Sequence, residues 1–196
     1  MKSTTEEEQR PLNTRERILH GAAVVAAERG LRAVTVQDIL AAASVSRRTF
    51  YQHFPNTEGV LCDLYIETMT ELQERVRAAV ASQATPRQRL RATMDAYVDA
   101  LHAGGLLLVW LQGEAIRPGS MLAPIRSQVH DSLLAVIAGE AASVRGARPS
   151  PLLLRGLLLG AEGLLLQLQH DGVLSDSALG EVRAVVGAMT IDAIGG

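Results

Sequence analysis

TVQDILAAASVSRRTFYQHF, residues 35–54, is the most informative stretch of this sequence. Thr35 and Asp38 have the spacing of a capping box, in which each side chain bonds the other residue's backbone amide at a helix N-terminus. Ser44 lies where this short helix must end and the chain must turn, and Ser46 can cap a second helix. The stretch therefore predicts two short helices joined by a tight turn, a helix-turn-helix.

The second of these helices combines an apolar anchor with a polar surface. Phe50 and Phe54 are expected to point inward, while two arginines, a phenol, an amide and an imidazole lie on the other side. Such a surface is rich in donors for a nucleic acid, although an ordinary solvated helix face is the alternative interpretation.

Three groups of residues resemble the N-terminal DNA-binding domain of TetR-family transcriptional regulators. They are Thr35-xx-Asp38-Ile39, Ala43-Ser44-Val45-Ser46 and Thr49-Phe50-Tyr51-x-His53-Phe54-Pro55, within a resemblance covering roughly residues 13–66. Two positions depart from the family pattern. Ser44 replaces the usual turn glycine, and Thr57 replaces a lysine that usually touches a phosphate, so one backbone contact is expected to be missing.

The resemblance implies a function and assigns roles to the second helix. The expected partner is double-stranded operator DNA, with the start of this helix in the major groove. Arg47 and Arg48 are candidates for guanine edges and Gln52 for adenine. Backbone or phosphate contacts are expected from the remaining candidates, Thr35, Ser46, Tyr51 and His53, while Thr49 is expected to pack or cap.

Helical periodicity and the absence of an alternating β pattern predict an all-α fold of about nine helices. We expect a disordered tail at 1–12, a three-helix DNA-binding domain at 13–57 and a larger helical effector-binding and dimerisation domain at 58–196. A connecting helix is predicted at 58–82. Helix starts are predicted at Asn13, Thr35, Ser46, Thr85, Ser150 and Ser175.

Charge is distributed unevenly along the 196 residues, although the formal net charge is only −2. Residues 11–57 contain six arginines against three acidic residues, whereas acidic residues outnumber basic ones from Glu58 onward. A basic first domain suits contact with a polyanion, and an acidic second domain does not.

Three glycines in a leucine-rich helix indicate a contact between helices. Gly156, Gly160 and Gly163 are spaced by four and three residues, so they share one face and would let another backbone approach. We predict a homodimer, with packing inside one chain as the alternative. The expected interface residues are Gly156, Leu157, Gly160, Gly163, Leu164, Leu168, Val182, Val186 and Met189.

The resemblance also implies a cavity for a small-molecule effector of unknown identity in the second domain. Its expected lining is Met94, Tyr97, Leu101, Trp110, Met121, Ile125 and Val129, with His102, Glu114, Glu162 and Gln167 as polar anchors. Ordinary core packing is the alternative, because apolar residues at helical spacing usually form a core.

Other functional classes find little support in the sequence. No metalloprotease, phosphate-loop or nucleophile-elbow motif occurs, so we expect neither an enzyme nor a cofactor or metal. Arg155 and Glu162 interrupt the leucine-rich segment 152–169, which argues against a membrane span, and a lone Cys62 fits a reducing, cytoplasmic location. Two alternatives remain: an effector-independent DNA-binding protein, and a helical enzyme or carrier with a lipophilic cavity.

Overall fold

The computed structural model describes residues 11–146 and 148–195, with side chains described up to Thr190 except that of Arg145. Nine α-helices and one 3-10 turn (Leu31–Ala33) occur in these ranges, without a strand, which confirms the all-α prediction. Apart from Pro11 and Leu12, the predicted tail lies outside the described residues. The helices are α1 Thr14–Arg29, α2 Val36–Ala43, α3 Arg47–His53, α4 Thr57–Ala81, α5 Pro86–Ala103, α6 Gly105–Ala115, α7 Ala123–Arg145, α8 Pro151–His170 and α9 Asp176–Gly195.

Most helices begin at the predicted caps. Capping boxes form at the starts of α1, α2 and α5, where Asn13, Thr35 and Thr85 each exchange bonds with the third helical residue. Ser150 differs, because its side chain makes no capping bond. Pro151 follows it at the first helical position, and the fixed φ of proline starts a helix without that bond.

The chain divides into two compact units between Leu64 and Tyr65, within the length of α4. The first unit has a small core to which α1, α2, α3 and the start of α4 contribute. Its fully buried side chains are Ile18, Ala22, Ala26, Ile39, Phe50 and Val60. The functional boundary predicted at 57/58 stays a prediction.

The second unit is a bundle in which α5 and α8 are central. α5 packs on α7, α8 and α9, and α8 also packs on α6, α7 and α9. Aliphatic side chains fill most of the bundle, but Thr93, Gln112, His130, Glu162 and Thr190 are also buried. The polar members of this core are the unusual feature of the second unit.

Candidate nucleic-acid interface and buried polar cluster

A close approach of two helix backbones brings α1 against the end of α2. A Cβ placed on Gly21 would lie 2.9 Å from the backbone nitrogen of Ala43 and 3.3 Å from Cβ of Ala42. Only glycine fits this position without moving α2. The sequence interpretation did not identify Gly21.

The turn between α2 and α3 is held by an arginine from α1. Ser44 adopts a left-handed conformation with φ 53° and ψ 48°. One guanidinium nitrogen of Arg17 donates to the carbonyl oxygens of Ala43 (2.7 Å) and Ser44 (2.8 Å). These bonds satisfy carbonyls that a helix end leaves without partners. Arg17 was missed because nothing local in the sequence links it to residues 26 and 27 positions away.

α3 is fixed at its start by a cap and on its inner side by aromatic packing. Ser46 Oγ accepts from the Thr49 amide at 3.0 Å, and the two hydroxyls lie 2.7 Å apart. Phe50 and Phe54 are buried, as predicted, with ring centroids 6.1 Å apart. The Ser46 and Thr49 side chains are thus engaged in starting the helix, so any base contact would come from their neighbours.

The outer side of α3 is exposed, and the structure brings five of the predicted DNA contacts together there. Arg47, Arg48, Tyr51, Gln52 and His53 are all exposed, Tyr51 by 50%. They therefore form one continuous donor surface on a short, rigid helix.

Residues of α2 support this surface from the side. The Arg47 guanidinium donates to Gln37 Oε1 at 3.3 Å, a contact that the sequence interpretation did not anticipate. Thr35 Oγ1 donates to Asp38 Oδ2 at 2.5 Å, and this bond, with a smaller effect from Arg29, lowers the pKa of Asp38. Thr35 is exposed at the start of α2, where a phosphate contact remains a prediction.

Ser44→Gly should stabilise the first unit by about 1 kcal/mol, because glycine adopts the left-handed conformation without the steric cost that serine pays. Thermal unfolding of the full chain would measure this. Ser120→Gly, in a loop of the second unit and without positive φ, is the matched control and should not stabilise. A Ser44→Gly protein that unfolds at a lower temperature than the wild type would contradict the account of this turn.

The second unit contains a buried ion pair at its centre. Arg126 of α7 donates to Glu162 Oε2 of α8 at 2.7 Å, and His130 Nε2 lies 3.4 Å from the same oxygen. Nearby, the Tyr65 hydroxyl donates to Gln112 Oε1 at 2.6 Å. We call these residues, together with Tyr97, the buried polar cluster.

The charges in this cluster set its protonation states. Burial acts to raise the pKa of Glu162, but the proximity of His130 and Arg126 outweighs it and holds that pKa below the ordinary value. Burial, and then the Glu162 charge, raise the pKa of Tyr97 well above its ordinary value. At neutral pH the cluster therefore contains a carboxylate that only accepts hydrogen bonds and a phenol that keeps its proton.

The structure brings together some of the predicted pocket residues and separates others. Met94, Tyr97, Leu101, Val129 and Glu162 are buried in the second unit, and His102 and Ile125 are partly buried. Tyr65, Gln112, Arg126 and His130 were missed, since polar residues far apart in the sequence give no local signal of sharing a site.

Three predicted pocket residues lie at the surface instead, and a fourth, Glu114, is half-buried. Met121 is 58% exposed, and Trp110 is 37% exposed with its ring edge-on to that of His170. Glu114 is paired with Arg117 at 2.7 Å, and Gln167 is exposed and donates to Asp171. Met121 lies in a turn, and the other three lie on sides of α6 and α8 that are not fully buried, so these side chains do not join the buried polar cluster.

The predicted interface residues divide by exposure. Cβ atoms built on Gly156, Gly160 and Gly163 would meet nothing within 4 Å, so the three glycines line an open face of α8. Leu164 of the same helix and Met189 of α9 are also exposed, while Leu157 and Leu168 are half-buried. Val182 and Val186, by contrast, are buried within the chain.

α8 is also the one helix of the described residues that is long and apolar enough to cross a membrane by length and composition alone. Only one side of this helix packs inward. Both of its charged residues are paired, Arg155 with Asp131 at 2.6 Å and Glu162 with Arg126. A charged side chain costs about 2.5–3.5 kcal/mol at a bilayer centre, which favours a protein contact for the open side.

The described residues combine a helix-turn-helix, anchored by the buried Phe50, with a helical bundle. The family model for "Bacterial regulatory proteins, tetR family" matches residues 18–63, which span α1 to the first part of α4. The match identifies residues 18–63 as a TetR-family domain.

Two relatives and two solved structures illustrate the similarity. The chain is 36% identical over 106 residues to the HTH-type transcriptional repressor KstR2 of Mycobacterium tuberculosis, covering 54% of this chain and 53% of the relative. It is 30% identical over 95 residues to the HTH-type transcriptional repressor DhaR of Mycobacterium sp., covering 48% of each. Each match thus spans about half the length of the curated relative.

The structural similarity extends over nearly the whole chain. A bacterial regulatory protein in the tetR family from Rhodococcus RHA1 has a TM-score of 0.75 at 19% identity, covering 92% of this chain and 98% of the neighbour. FadR of Bacillus subtilis, in complex with stearoyl-CoA, has a TM-score of 0.75 at 21% identity, covering 90% and 97%. At these identities the neighbours establish the fold of the second unit.

Proposed function

We propose that this protein is a sequence-specific DNA-binding regulator, a repressor that binds a palindromic operator as a homodimer. The observation that carries the proposal is the exposed donor face of α3, held rigidly by the Ser46 cap, the Arg17 bonds and the buried Phe50. A fixed helix presents its side chains to base edges without a large ordering cost. The repressor relatives KstR2 and DhaR support the same reading.

Selection of bound duplexes from a random pool, at near-physiological salt, tests this function. A palindromic consensus with two half-sites is expected, because each subunit of a symmetric dimer would place one α3 in a major groove. Weak binding that depends on salt without sequence enrichment would overturn the proposal, since it would show attraction to phosphates alone.

The homodimer would form through the open face of α8 together with the exposed part of α9. Small residues let a partner helix approach closely, and the flanking leucines would supply apolar contact. A monomer would leave Leu164 and Met189 in water, where they are unfavourable. A dimer would also cover the apolar side of α8, which fits a soluble protein in the cytoplasm, where the DNA is.

Gly160→Leu should weaken the dimer at least tenfold without unfolding the chain. The added side chain has open space in one protomer, so it would interfere only when a partner approaches. Sedimentation over a concentration series would measure the dissociation constant. Gly139→Leu, at an equally open position on α7, is the matched control and should leave the dimer intact. Unchanged dimerisation of the Gly160→Leu protein would remove α8 from the interface.

A small molecule would regulate DNA binding from the second unit. Effector and operator would antagonise each other if the effector favours a conformation in which the two α3 helices are wrongly spaced. α4, 25 residues long, would transmit the shift. The helical second unit of the FadR neighbour supports this, because that protein was solved in complex with stearoyl-CoA. If the second domain only dimerises, no ligand should change the affinity of the protein for the operator.

A further inference from the structure

Polar side chains from five helices converge in the middle of the second unit, where a stable bundle needs only apolar ones. Burying polar and charged groups costs free energy, and apolar residues of similar volume often serve stability as well or better. The buried polar cluster therefore calls for an explanation besides folding. Its members are Tyr65 on α4, Tyr97 on α5, Gln112 on α6, Arg126 and His130 on α7, and Glu162 on α8.

The hydrogen bonding of this cluster is incomplete within the described residues. Three of its buried atoms have no hydrogen-bond partner there: Tyr97 Oη, Glu162 Oε1 and Arg126 Nε. Tyr97, His130 and Glu162 are each at least 98% buried. The large majority of buried side-chain polar atoms in native proteins have a hydrogen-bond partner, so three unpartnered atoms in one cluster indicate that a partner comes from outside the chain.

The orphan atoms define the chemistry of that partner. Glu162 Oε1 belongs to a carboxylate and can only accept, so the partner must offer an O–H or N–H donor. Tyr97 Oη keeps its proton and Arg126 Nε–H is a donor, so the partner must also accept. Arg126 and Glu162 already neutralise each other, and an extra charge would be buried without compensation. A hydroxyl group meets all three requirements.

The surroundings of the cluster are aliphatic. Met94 and Leu101 lie three and four residues from Tyr97 on α5, and Leu158 and Leu165 lie four and three residues from Glu162 on α8; all four are buried. Side chains at these spacings share a helix face, so they surround the polar atoms with hydrocarbon. An aliphatic frame bearing a hydroxyl would fit them.

We propose that the buried polar cluster recognises the hydroxyl group of an uncharged aliphatic alcohol, with Glu162 accepting from it and Tyr97 donating to it. This rests on the proposed function, because it specifies the chemical class of the effector. A fatty-acid carboxylate or a thioester group offers no hydrogen-bond donor, so neither fits as the group bound at Glu162.

A matched set of ten-carbon probes tests the chemistry: 1-decanol, 1-methoxydecane, decanoate and decylammonium, each below its aggregation limit. Thermal unfolding of the full chain is the readout. Decanol should raise the Tm by about 2–5 °C near saturation, since ligand binding to the folded state alone stabilises it. The ether lacks the donor and the two ions are charged, so they should raise the Tm by less than half as much. Equal stabilisation by the ether, or none by decanol, would overturn the proposal.

Two tyrosines provide a matched pair of variants. Tyr65→Phe removes a hydroxyl that is bonded to Gln112, so it should lower the Tm of the ligand-free protein by a few degrees. Tyr97→Phe removes an unpartnered hydroxyl and should leave that Tm unchanged or higher, while weakening decanol binding about tenfold. A fall in Tm for Tyr97→Phe equal to that for Tyr65→Phe, with no effect on decanol, would assign the orphan atoms to internal water and overturn the proposal.

Operator binding, measured separately with the selected duplex, distinguishes this inference from the proposed function. Decanol should weaken binding of the wild type to the operator, and the ether should not. Specific operator binding that no alcohol affects would overturn only the effector chemistry. Binding of decanol to a protein with no sequence preference on DNA would support the alcohol site and overturn the regulator.

Discussion

Arg126→Met should lower the free energy of unfolding by about 3 kcal/mol, the largest stability effect that we expect from one substitution in this chain. Removing the guanidinium strands the Glu162 carboxylate, whose side chain is 2% exposed. Breaking a buried pair in this way costs about 3–5 kcal/mol, and the 17% exposure of Arg126 places the loss at the lower end. Thermal unfolding should show a Tm lower by roughly 6–12 °C.

The double variant Arg126→Met, Glu162→Leu separates a stranded charge from lost packing. With both charged groups replaced by apolar ones of similar size, most of the stability should return. If the double variant is as unstable as Arg126→Met alone, the loss comes from packing around the methionine, and the interpretation of the pair is wrong.

The same variant should respond to pH in a particular direction. In the wild type the folded-state pKa of Glu162 is lowered, so its contribution is present above the unfolded carboxyl pKa, about 4.3, and is lost as the pH falls through the folded value. Without Arg126, protonation of the buried Glu162 carboxylate removes its unpaired charge. The stability difference between wild type and variant should therefore be largest near pH 7 and narrow toward pH 4.

Arg47→Ala combined with Arg48→Ala should cost about 2–6 kcal/mol in binding to the selected operator, the largest functional effect that we expect. Each bidentate guanidinium contact to a guanine is worth about 1–3 kcal/mol of discrimination, and the two add if they contact separate bases. The variant should also lose its preference for the operator over random duplexes. Fluorescence anisotropy with both duplexes, at one stated salt concentration, would measure the two affinities.

Arg32→Ala is the matched control for this experiment, since Arg32 is an exposed arginine of the first unit outside α3. The Arg32→Ala protein should bind the operator with nearly the same affinity as the wild type. If the Arg47→Ala, Arg48→Ala protein loses the same affinity for operator and random duplexes, the two arginines contact phosphates. Such contacts position the protein without reading bases.

The features that the sequence predicted correctly are those produced by neighbouring residues. Thr35 and Asp38 are three positions apart, so their capping box depends on the local backbone alone, and it forms as expected. Phe50 and Phe54 follow helical spacing, and their burial follows from it. The exposure of the α3 candidates follows from the same spacing, while their contact with DNA stays a prediction.

Predictions that depend on which elements pack against a helix were less accurate. Met121 and Gln167 have the composition of pocket residues, but a turn and an exposed helix side hold them at the surface. Val182 and Val186 fit an interface pattern and are instead buried within one chain. Helical spacing identifies which residues share a face, but it does not identify the neighbour of that face.

The amino-acid sequence by itself therefore established the all-α class, the helix-turn-helix and most helix starts, because short-range hydrogen bonding and helical periodicity fix them. Tertiary packing was needed to reveal the close approach at Gly21, the bonds from Arg17 to the turn and the buried polar cluster. Arg17 meets carbonyls 26 and 27 residues away, and Arg126 meets Glu162 across 36 residues. Contacts over such distances depend on how whole helices pack, and no local pattern in a single sequence encodes that arrangement.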